Sequence, residues 1–396
     1  MLEKMKVLSF CHVLQGPACT QYLGDLGADV VKVEPIAGER ARRWAGPHIG
    51  GVAGLYLCAF RNKRTFAVDL KNPDGIAVIK DIVRQTDVVV ENYRAGVMDR
   101  LGLGYEALKQ VKPDLIYASG TGWGSKGPMI ERASQDIIIQ ARTGMMAANG
   151  HDTAKAVGSA IIDQHGGAVL AMGIIAAYVK KLTTGKGTKV ESSLYTAGLD
   201  LQTEPLTVYL STRPDRAIMK RDEHLATWYH QAPYGQFKLA DAEIAMSVND
   251  PMKVADALDS DELRALAKID RFKERDRYAQ AFAKVVATRK FADVAAAFDK
   301  AELWYSKVFD FDDVAEDPQA EAVDAFKEIE IRGEKAVLVN HPVKYDDETP
   351  PLRIRPYDVG QHTREVLSEL GYSANKIDDL VSRGVVGAVE QAKAAE

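Results

Sequence analysis

The feature that most constrains this chain is the alternation of short β-branched runs with helical segments in its N-terminal half. Strand-like runs occur at residues 6–10, 28–34, 87–91 and 115–119. Helix signals lie between them: a Gly16-Pro17 turn precedes the helical segment 18–26, and Pro73 occupies the first turn of a segment that ends near Arg84. Short strands separated by helices are typical of βαβ units, so the sequence predicts an α/β fold with a parallel sheet.

The second half of the chain is organised differently. A helix at 168–181 is apolar almost all round, which predicts that it is buried. A strand at 188–192 and one long helix at 193–210 follow it, and strand-like pieces at 235–239 and 243–248 then lead into charged helices. The predicted organisation is a large Rossmann-like domain at 1–220, a smaller α+β domain at 225–325, and a linker with C-terminal helices at 326–396 that returns to the large domain.

Composition argues against several classes of function. Acidic residues outnumber basic ones by 56 to 51, so there is no electrostatic basis for binding nucleic acid. The apolar run at 168–179 is interrupted by glycine and is too short to span a bilayer, and no secretory signal precedes the first strand. Three cysteines (Cys11, Cys19 and Cys58) form neither a paired nor a metal-binding pattern. We therefore expect a cytoplasmic protein that has no membrane contact and no metal.

Nucleotide-binding fingerprints are absent as well. The run GTGWGS at 120–125 lacks the glycine spacing of a dinucleotide-binding turn, and its companion acidic residue is missing. The run GKG at 185–187 is not a P-loop, because neither Ser nor Thr follows the lysine. The predicted sheet is thus expected to bind a ligand other than NAD or ATP.

An ordered series of motifs resembles the class III CoA-transferases, the formyl-CoA transferase or CaiB/BaiF type. The motifs are HVLQGPACTQ (12–21), LGADVVKVEP (26–35), RNKR (61–64), VDLK (68–71), VENYRAGV (90–97), GTGWG (120–124), IDQ (162–164), TGKG (184–187) and VGQHTREVL (359–367). Each motif alone is weak, but the set spans nearly the whole chain in the family's order. The resemblance implies an enzyme that moves coenzyme A from an acyl-CoA to a small carboxylic acid, without metal or NAD. It also implies a homodimer whose two subunits interlock.

Asp163 is the candidate nucleophile. It follows the strand-like pair Ile161-Ile162 and precedes the predicted helix, whose N-terminus should keep the carboxylate ionised. An ionised carboxylate can attack a thioester and form a covalent intermediate. The plain alternative is that Asp163 only caps the helix, a common role of Asp. The resemblance favours the nucleophile, which would form an aspartyl-anhydride and then an aspartyl-CoA thioester.

Further site residues follow from the expected charges and from the resemblance. Backbone amides near Gln15 and Gly166 are expected to stabilise the oxyanion of the thioester, because glycine lets the backbone approach closely. Coenzyme A carries phosphates that require cations. The candidates for CoA binding are His12, Val13, Arg40, Arg42, Lys71, Asn92, Tyr93, Arg94 and Arg100; Arg43, Lys63 and Arg64 belong to the same basic cluster.

The motifs depart from formyl-CoA transferase itself at two positions. Leu14 stands where that enzyme has a glutamine, and Pro35 stands where it has an arginine. Its glycine-rich loop in the small domain is also missing from residues 232–237. We therefore expect an acyl donor and an acceptor acid other than those of the formate and oxalate enzymes.

Two other functions stay open. An α-methylacyl-CoA racemase needs two bases that flank an acidic α-carbon, and the histidine of that family is Gln135 here, which cannot exchange a proton near neutral pH. His151 or His165 could take its place. A CoA-binding protein with an inactive site is the other alternative, and the presence of Asp163 counts against it.

Overall fold

The computed structural model describes residues 1–355 and 357–389. The strands are β1 (Lys6–Phe10), β2 (Asp29–Glu34), β3 (His48–Ile49), β4 (Val52–Ala53), β5 (Arg64–Val68), β6 (Val88–Glu91), β7 (Ile116–Thr121), β8 (Lys189–Ser193), β9 (Gly235–Lys238), β10 (Glu243–Met246), β11 (Tyr305–Lys307), β12 (Phe326–Ile331), β13 (Glu334–Val339) and β14 (Val386–Gly387). Residues 390–396 of the predicted C-terminal segment lie outside the described residues.

The described residues also form α-helices, which are numbered here in chain order. They are α1 (Gln15–Asp25), α2 (Gly54–Leu57), α3 (Pro73–Arg84), α4 (Val97–Arg100), α5 (Tyr105–Val111), α6 (Asp136–Arg142), α7 (Met145–Asn149), α8 (Ile161–Thr184), α9 (Leu194–Asp200), α10 (Thr203–Thr212), α11 (Arg216–Met219), α12 (Pro251–Ala257), α13 (Asp261–Leu266), α14 (Arg275–Val286), α15 (Phe291–Lys300), α16 (Phe311–Ala315), α17 (Pro318–Ala322), α18 (Thr363–Glu369) and α19 (Ala374–Ser382). A 3₁₀ helix occupies Arg40–Arg43.

The large sheet has the strand order β14-β5-β2-β1-β6-β7-β8 within the described residues. Its strands pair in parallel, except that β14 is antiparallel to β5. The predicted α/β class with a largely parallel sheet is therefore confirmed. The chain order reverses at β1, since β2 lies on one side and β6 on the other. In open α/β sheets, ligands bind at the carboxyl ends of strands at such a reversal.

Alternate side chains of the central strands enter two cores. Leu8 of β1 joins the core that includes α3, α5, α18 and α19, while Val7 joins the core that includes α1 and α8. This alternation is the period-two pattern of a strand that is buried on both faces. Helix α3 begins at Pro73 as predicted, and its first turn is capped by Asn72, whose Oδ1 accepts the N–H of Asp74 at 3.0 Å.

Strand β5 was not predicted, because Arg64 and Thr65 interrupt its apolar pattern. The structure shows why a buried strand carries an arginine: the Arg64 guanidinium is 2.7 Å from Asp29 of β2. It also lies 2.9 Å from Glu365 and from Glu369 of α18. These ion pairs hold α18 against β5 and β2 of the sheet.

The described residues divide into two compact units. The first comprises 1–143, 158–201 and residues from 321 onward, and it contains the large sheet. The second comprises 144–157 and 202–320. Strands β9–β11 form its antiparallel sheet, which packs on α12–α15 through a core that includes Phe237, Phe282 and Phe298. The domain boundaries predicted at 220, 225 and 326 stay predictions.

A hairpin formed by β12 and β13 lies in the stretch that was predicted to be a linker with helices. Arg332 and Gly333 form its turn, with φ values of 48° and 85°, as in the tight turns that suit hairpins. Ile329 and Ile331 of one strand and Leu338 of the other are buried in a cluster with Tyr56 and Phe60. The linker prediction is therefore wrong for these residues.

Helix α8 is longer than its prediction. The pair Ile161-Ile162 is its first turn and not a strand, and the helix continues to Thr184. By length and composition alone it could cross a membrane, although 39% of its most apolar window is buried within the chain. The predicted burial of 168–181 on all sides is wrong for the single chain, since Met172 and Val179 are 66% and 55% exposed. The long helix predicted at 193–210 is two helices, α9 and α10.

The contact between α1 and α8 is close because glycine supplies the surface of α8. A β-carbon on Gly167 would lie 2.8 Å from the carbonyl oxygen of Gln15 and 2.9 Å from the β-carbon of Ala18. Both contacts are with the main chain or the first side-chain atom of α1, which cannot swing away. The absence of a side chain at Gly167 therefore permits the close packing of α1 on α8.

Replacing Gly167 with Ala is expected to destabilise the protein by about 1–3 kcal/mol, because the added methyl group overpacks the contact between the helices. Gly173→Ala in the same helix is the matched control, since its β-carbon would meet one side-chain methyl group, that of Val190 at 3.1 Å, and no backbone atom of another element. Urea unfolding measures both variants. Equal midpoints for the two would contradict the tight-contact interpretation.

Candidate active site

The turn after β1 lies at the reversal of strand order and is tied to the loop after β6. The backbone N–H of His12 donates to Oδ1 of Asn92 at 2.8 Å, and Nδ2 of Asn92 donates to the carbonyl of His12 at 2.9 Å. Val13 has a φ of 64°, a conformation that is unfavourable for a β-branched residue. The reciprocal hydrogen bonds hold the chain in this turn immediately before α1 begins.

Gln15 is the first residue of α1 and its side chain is buried. Its Nε2 has no hydrogen-bond partner in the part of the chain that the structure describes. Glycines make room for this amide: a β-carbon on Gly166 would lie 3.0 Å from Nε2, and one on Gly120 would lie 3.2 Å from Oε1. A buried donor without a partner is costly, which suggests that a ligand completes it.

Asp163 lies in the first turn of α8 and is half-buried. It is not the helix cap, since that position belongs to Ala160, so the plain alternative is wrong. Asp163 and Gly166 are three positions apart and lie on the same face of the helix. The backbone N–H of Gln15 donates a hydrogen bond to the carboxylate of Asp163. The structure thus brings together the three predicted catalytic residues.

The expectation that Asp163 is fully ionised is wrong. Burial, and next the negative charge of Asp136, raise the pKa of Asp163 to about 7, although the hydrogen bond from Gln15 lowers it. The carboxylate is therefore distributed between its charged and neutral forms at neutral pH.

Asp136 is a site residue that the sequence did not reveal. It begins α6 and is buried, and its Oδ2 accepts the backbone N–H groups of Ile162 at 2.7 Å and of Asp163 at 3.0 Å. Its Oδ1 accepts Nε2 of Gln140 at 2.6 Å. Asp136 therefore supplies the side-chain cap that Ala160 cannot. It directly follows Gln135, and no pattern in the sequence indicated a role for it.

His12 is partly buried, so it differs from the exposed histidines that are common in surface turns. Burial, and next the charge of Lys32, lower its pKa to about 4. Its Nδ1 is buried and has no partner within the described chain, and its ring lies 5.0 Å from that of Tyr93. At neutral pH the imidazole of His12 is therefore uncharged, and it can contact a ligand without adding a positive charge to the site.

Two buried lysines donate hydrogen bonds to backbone carbonyls before and after the turn. Nζ of Lys32 donates to the carbonyl of Cys11 at 2.6 Å, just before the turn. Nζ of Lys63 donates to the carbonyl of Pro17 at 2.6 Å and to that of Ala59 at 2.7 Å. Burial lowers the pKa of Lys63 to about 7, with a smaller effect of the charge on Lys32. Lys63 therefore serves inside the protein and does not belong to a surface cluster.

Arg42 is also used internally. It forms two hydrogen bonds with the carboxylate of Glu34, at 2.6 and 2.7 Å, and donates to the carbonyl of Tyr357 at 2.8 Å and to that of Asp358 at 3.3 Å. Its guanidinium also lies over the ring of Tyr56. These partners occupy every nitrogen of the group, which argues against its predicted role as a CoA ligand.

The remaining predicted cations are exposed near the carboxyl ends of the strands. Arg94 and Arg100 lie in the segment after β6, close to Asn92 and Tyr93 in the chain; Lys71 follows β5, and Arg40 follows β2. Buried Glu91 orders the start of the segment after β6: its carboxylate accepts the N–H of Tyr93 at 2.8 Å and the hydroxyl of Ser119 at 2.5 Å.

The described residues contain no cluster of three or more His, Cys, Asp or Glu side chains that could hold a metal ion. The three cysteines are unpaired thiols, two of them buried.

Known proteins resemble this chain over nearly its full length. The model of CoA-transferase family III matches residues 2–363. Succinyl-CoA:glutarate CoA-transferase of Homo sapiens is 31% identical and covers 97% of this chain and 90% of its own. Acetyl-CoA:oxalate CoA-transferase of Acetobacter aceti is 30% identical, with coverages of 87% and 90%. A solved structure of a CAIB/BAIF family protein from Brucella suis has a TM-score of 0.79 at 27% identity, and the match covers 93% of this chain and 98% of that one.

Replacing Asn92 with Ala is expected to lower the free energy of unfolding by about 1–3 kcal/mol, because two backbone groups of His12 lose their partners. Asn149→Ala is the control, since its side chain makes an exposed hydrogen bond to Lys155 and should cost less than about 0.5 kcal/mol. Urea unfolding without CoA tests this. An unchanged midpoint for Asn92→Ala would show that the turn does not depend on these bonds.

Proposed function

The chain belongs to CoA-transferase family III, and from this we propose that it moves CoA from an acyl-CoA donor to a small carboxylic acid through covalent intermediates on Asp163. One observation carries the proposal. The carboxylate of Asp163 receives the backbone N–H of Gln15, on the helix face where Gly166 makes room for the unpartnered side-chain amide of Gln15. The nucleophilic carboxylate of Asp163 and the unpartnered amide of Gln15 thus lie at the same face of α8.

The proposed reaction has four steps. The ionised carboxylate of Asp163 attacks the thioester carbonyl, the C–S bond breaks, and CoA leaves as a thiolate, which gives a mixed anhydride. The thiolate then attacks the Asp163 carbonyl and releases the donor acid as a carboxylate. The acceptor carboxylate attacks the resulting aspartyl-CoA thioester and again releases the thiolate. The thiolate finally attacks the acceptor carbonyl, which forms the new acyl-CoA and restores Asp163. No net proton is gained or lost.

Gln15 is assigned to the negative charge that develops on the thioester oxygen. Its Nε2 is buried and free to donate, so it needs no rearrangement of water when the oxyanion forms. Gly166 contributes by the absence of a side chain, because a β-carbon there would press on the Gln15 amide. The two residues therefore act together.

The rest of CoA is assigned to the turn after β1 and to the exposed cations. His12 and Val13 are proposed to contact the pantetheine arm, for which a neutral imidazole is suitable. Arg94 and Arg100, with Tyr93 beside them in the chain, are proposed to bind the phosphates, and Lys71 and Arg40 lie at the same ends of the strands. Asn92 is proposed to act mainly by holding His12.

The racemase alternative has less support. Gln135 is exposed at the start of α6. His165 is two positions after Asp163, which turns it about 200° around the helix, and its Nε2 lies 2.7 Å from Asp200. His151 belongs to the second unit, where its ring nitrogen bonds to the carbonyl of Leu225. The transferase reaction, which needs no second base beside Asp163, therefore fits the surroundings of this residue better than racemisation does.

We also propose that the enzyme is a cytoplasmic, interlocked homodimer. Large apolar side chains are exposed in the single chain on α8, where Met172 and Leu182 are examples, and on the β12–β13 hairpin, where Val337 and Val339 are 57% and 71% exposed. Such surfaces usually mark protein contacts. A partner subunit of the same kind would cover them.

Asp163→Ala is expected to abolish transfer while folding and CoA binding persist, because the change removes one side chain from a helix face. Wild-type protein mixed with succinyl-CoA and trapped with hydroxylamine or borohydride should show a mass change on Asp163. Asp200→Asn, a change on the adjacent helix, is the matched control and should react normally. Normal turnover of Asp163→Ala would refute the transferase mechanism, and α-deuterium exchange into a branched acyl-CoA without an adduct would favour the racemase.

Sedimentation at micromolar protein concentration is expected to show a dimer. The exposed apolar surface of α8 and of the hairpin would otherwise face water at a cost of about 25 cal/mol per Å². A folded monomer that stays stable on dilution would contradict the homodimer.

A further inference from the structure

Asp136 connects the start of α6 to the start of α8, and the residue is buried, with 8% of its surface exposed. A helix leaves its first backbone N–H groups without partners inside the helix. In α8 the carboxylate of Asp136 takes two of them, those of Ile162 and of Asp163 itself. Since the second amide belongs to the proposed nucleophile, Asp136 fixes the position of the main chain from which the Asp163 side chain extends.

The same contact places two carboxylates near each other. Like charges disfavour a second ionised group nearby. The titratable and charged groups on the elements that pack against α8 are Cys19, Tyr22 and Asp25 on α1, Tyr117 on β7, Asp136 and Arg142 on α6, Lys189 and Glu191 on β8, and Tyr195 and Asp200 on α9. Of these, Asp136 acts on Asp163, and Asp200 is engaged with His165.

We propose that Asp136 is a positioning residue for the transfer reaction: it fixes the first turn of α8 and places a second negative charge beside the nucleophile. The inference rests on the proposed function of Asp163. It assigns Asp136 a role beyond capping, because a cap needs only an acceptor oxygen whereas this role also needs the charge.

The charge has two opposite effects on the first step. In that step an oxygen of Asp163 forms a bond to the thioester carbon, and the C–S bond breaks with its electron pair passing to CoA. A carboxylate that binds its proton more tightly is a stronger nucleophile once ionised. A raised pKa also means that the carboxylate is protonated at a higher pH when the solution is acidified. With a pKa of about 7, Asp163 loses its charge near neutral pH.

The sign of the pH dependence follows from these effects. Only ionised Asp163 attacks, so adduct formation in the wild type should fall about tenfold per pH unit well below pH 7. Asp136→Asn keeps an oxygen for the two amides and removes the charge. We expect its midpoint to move down by about one pH unit, and its rate at pH 8 to fall about two- to fivefold.

The experiment is single-turnover formation of the Asp163 adduct from succinyl-CoA between pH 5 and 9. Asp200→Asn, which removes a charge from α9, should keep the wild-type midpoint. Asp136→Ala, which removes both the charge and the acceptor, should be slow at every pH. Thermal unfolding is recorded for each variant.

Each outcome is decisive. A lower midpoint for Asp136→Asn with an unchanged one for Asp200→Asn supports the proposal. An unshifted midpoint for Asp136→Asn overturns it, and so does loss of folding in that variant, which would make Asp136 a purely structural residue. If the wild type forms no adduct on Asp163 with any acyl-CoA, the proposed function fails instead, and the two failures are thus distinguished.

Discussion

The close contact between α1 and α8 is the constraint on which the candidate site depends. Gly167 removes the side chain that would hold the helices apart, and Gly166 leaves the slot that the Gln15 amide occupies. A hydrogen bond weakens quickly as donor and acceptor separate, so even a small displacement of α1 would cost the bond from Gln15 to Asp163. The same two glycines therefore determine how closely α1 packs on α8 and whether Gln15 can reach Asp163.

The turn before α1 is costly to form and needs support. A β-branched residue at positive φ costs about 1–3 kcal/mol, and Val13 is such a residue. Asn92 holds the residue before it, and the Nζ atoms of Lys32 and Lys63 donate to carbonyls on either side of it. Burying an ammonium group is expensive in itself. Basic residues that the sequence suggested for CoA are thus partly used to build the site and not to bind the substrate.

The sequence predicted the sheet well where apolar runs were continuous. Strand β1 and helix α3 have the bounds that β-branched runs and Pro73 indicated, whereas β5 was missed because the partners of Arg64 lie on other elements. The β12–β13 hairpin was missed although residues 329 and 331 alternate with polar ones before the turn at Gly333. Local patterns were thus sufficient for some elements, but ion pairs between distant residues were not visible in them.

Asp163 and Gln15 could be predicted through the family's motifs, but the charge state of Asp163 could not. A helix N-terminus is worth about 0.3–1 kcal/mol to a carboxylate, whereas burying one costs several kcal/mol. In addition, each N-terminal amide of α8 donates its hydrogen bond to one carboxylate and is then not available to another. Asp136 accepts those of Ile162 and Asp163, so these two amides are not available to the carboxylate of Asp163. Asp163 is left with the amide of Gln15, which comes from a different helix, and its reactivity therefore depends on the tertiary contact.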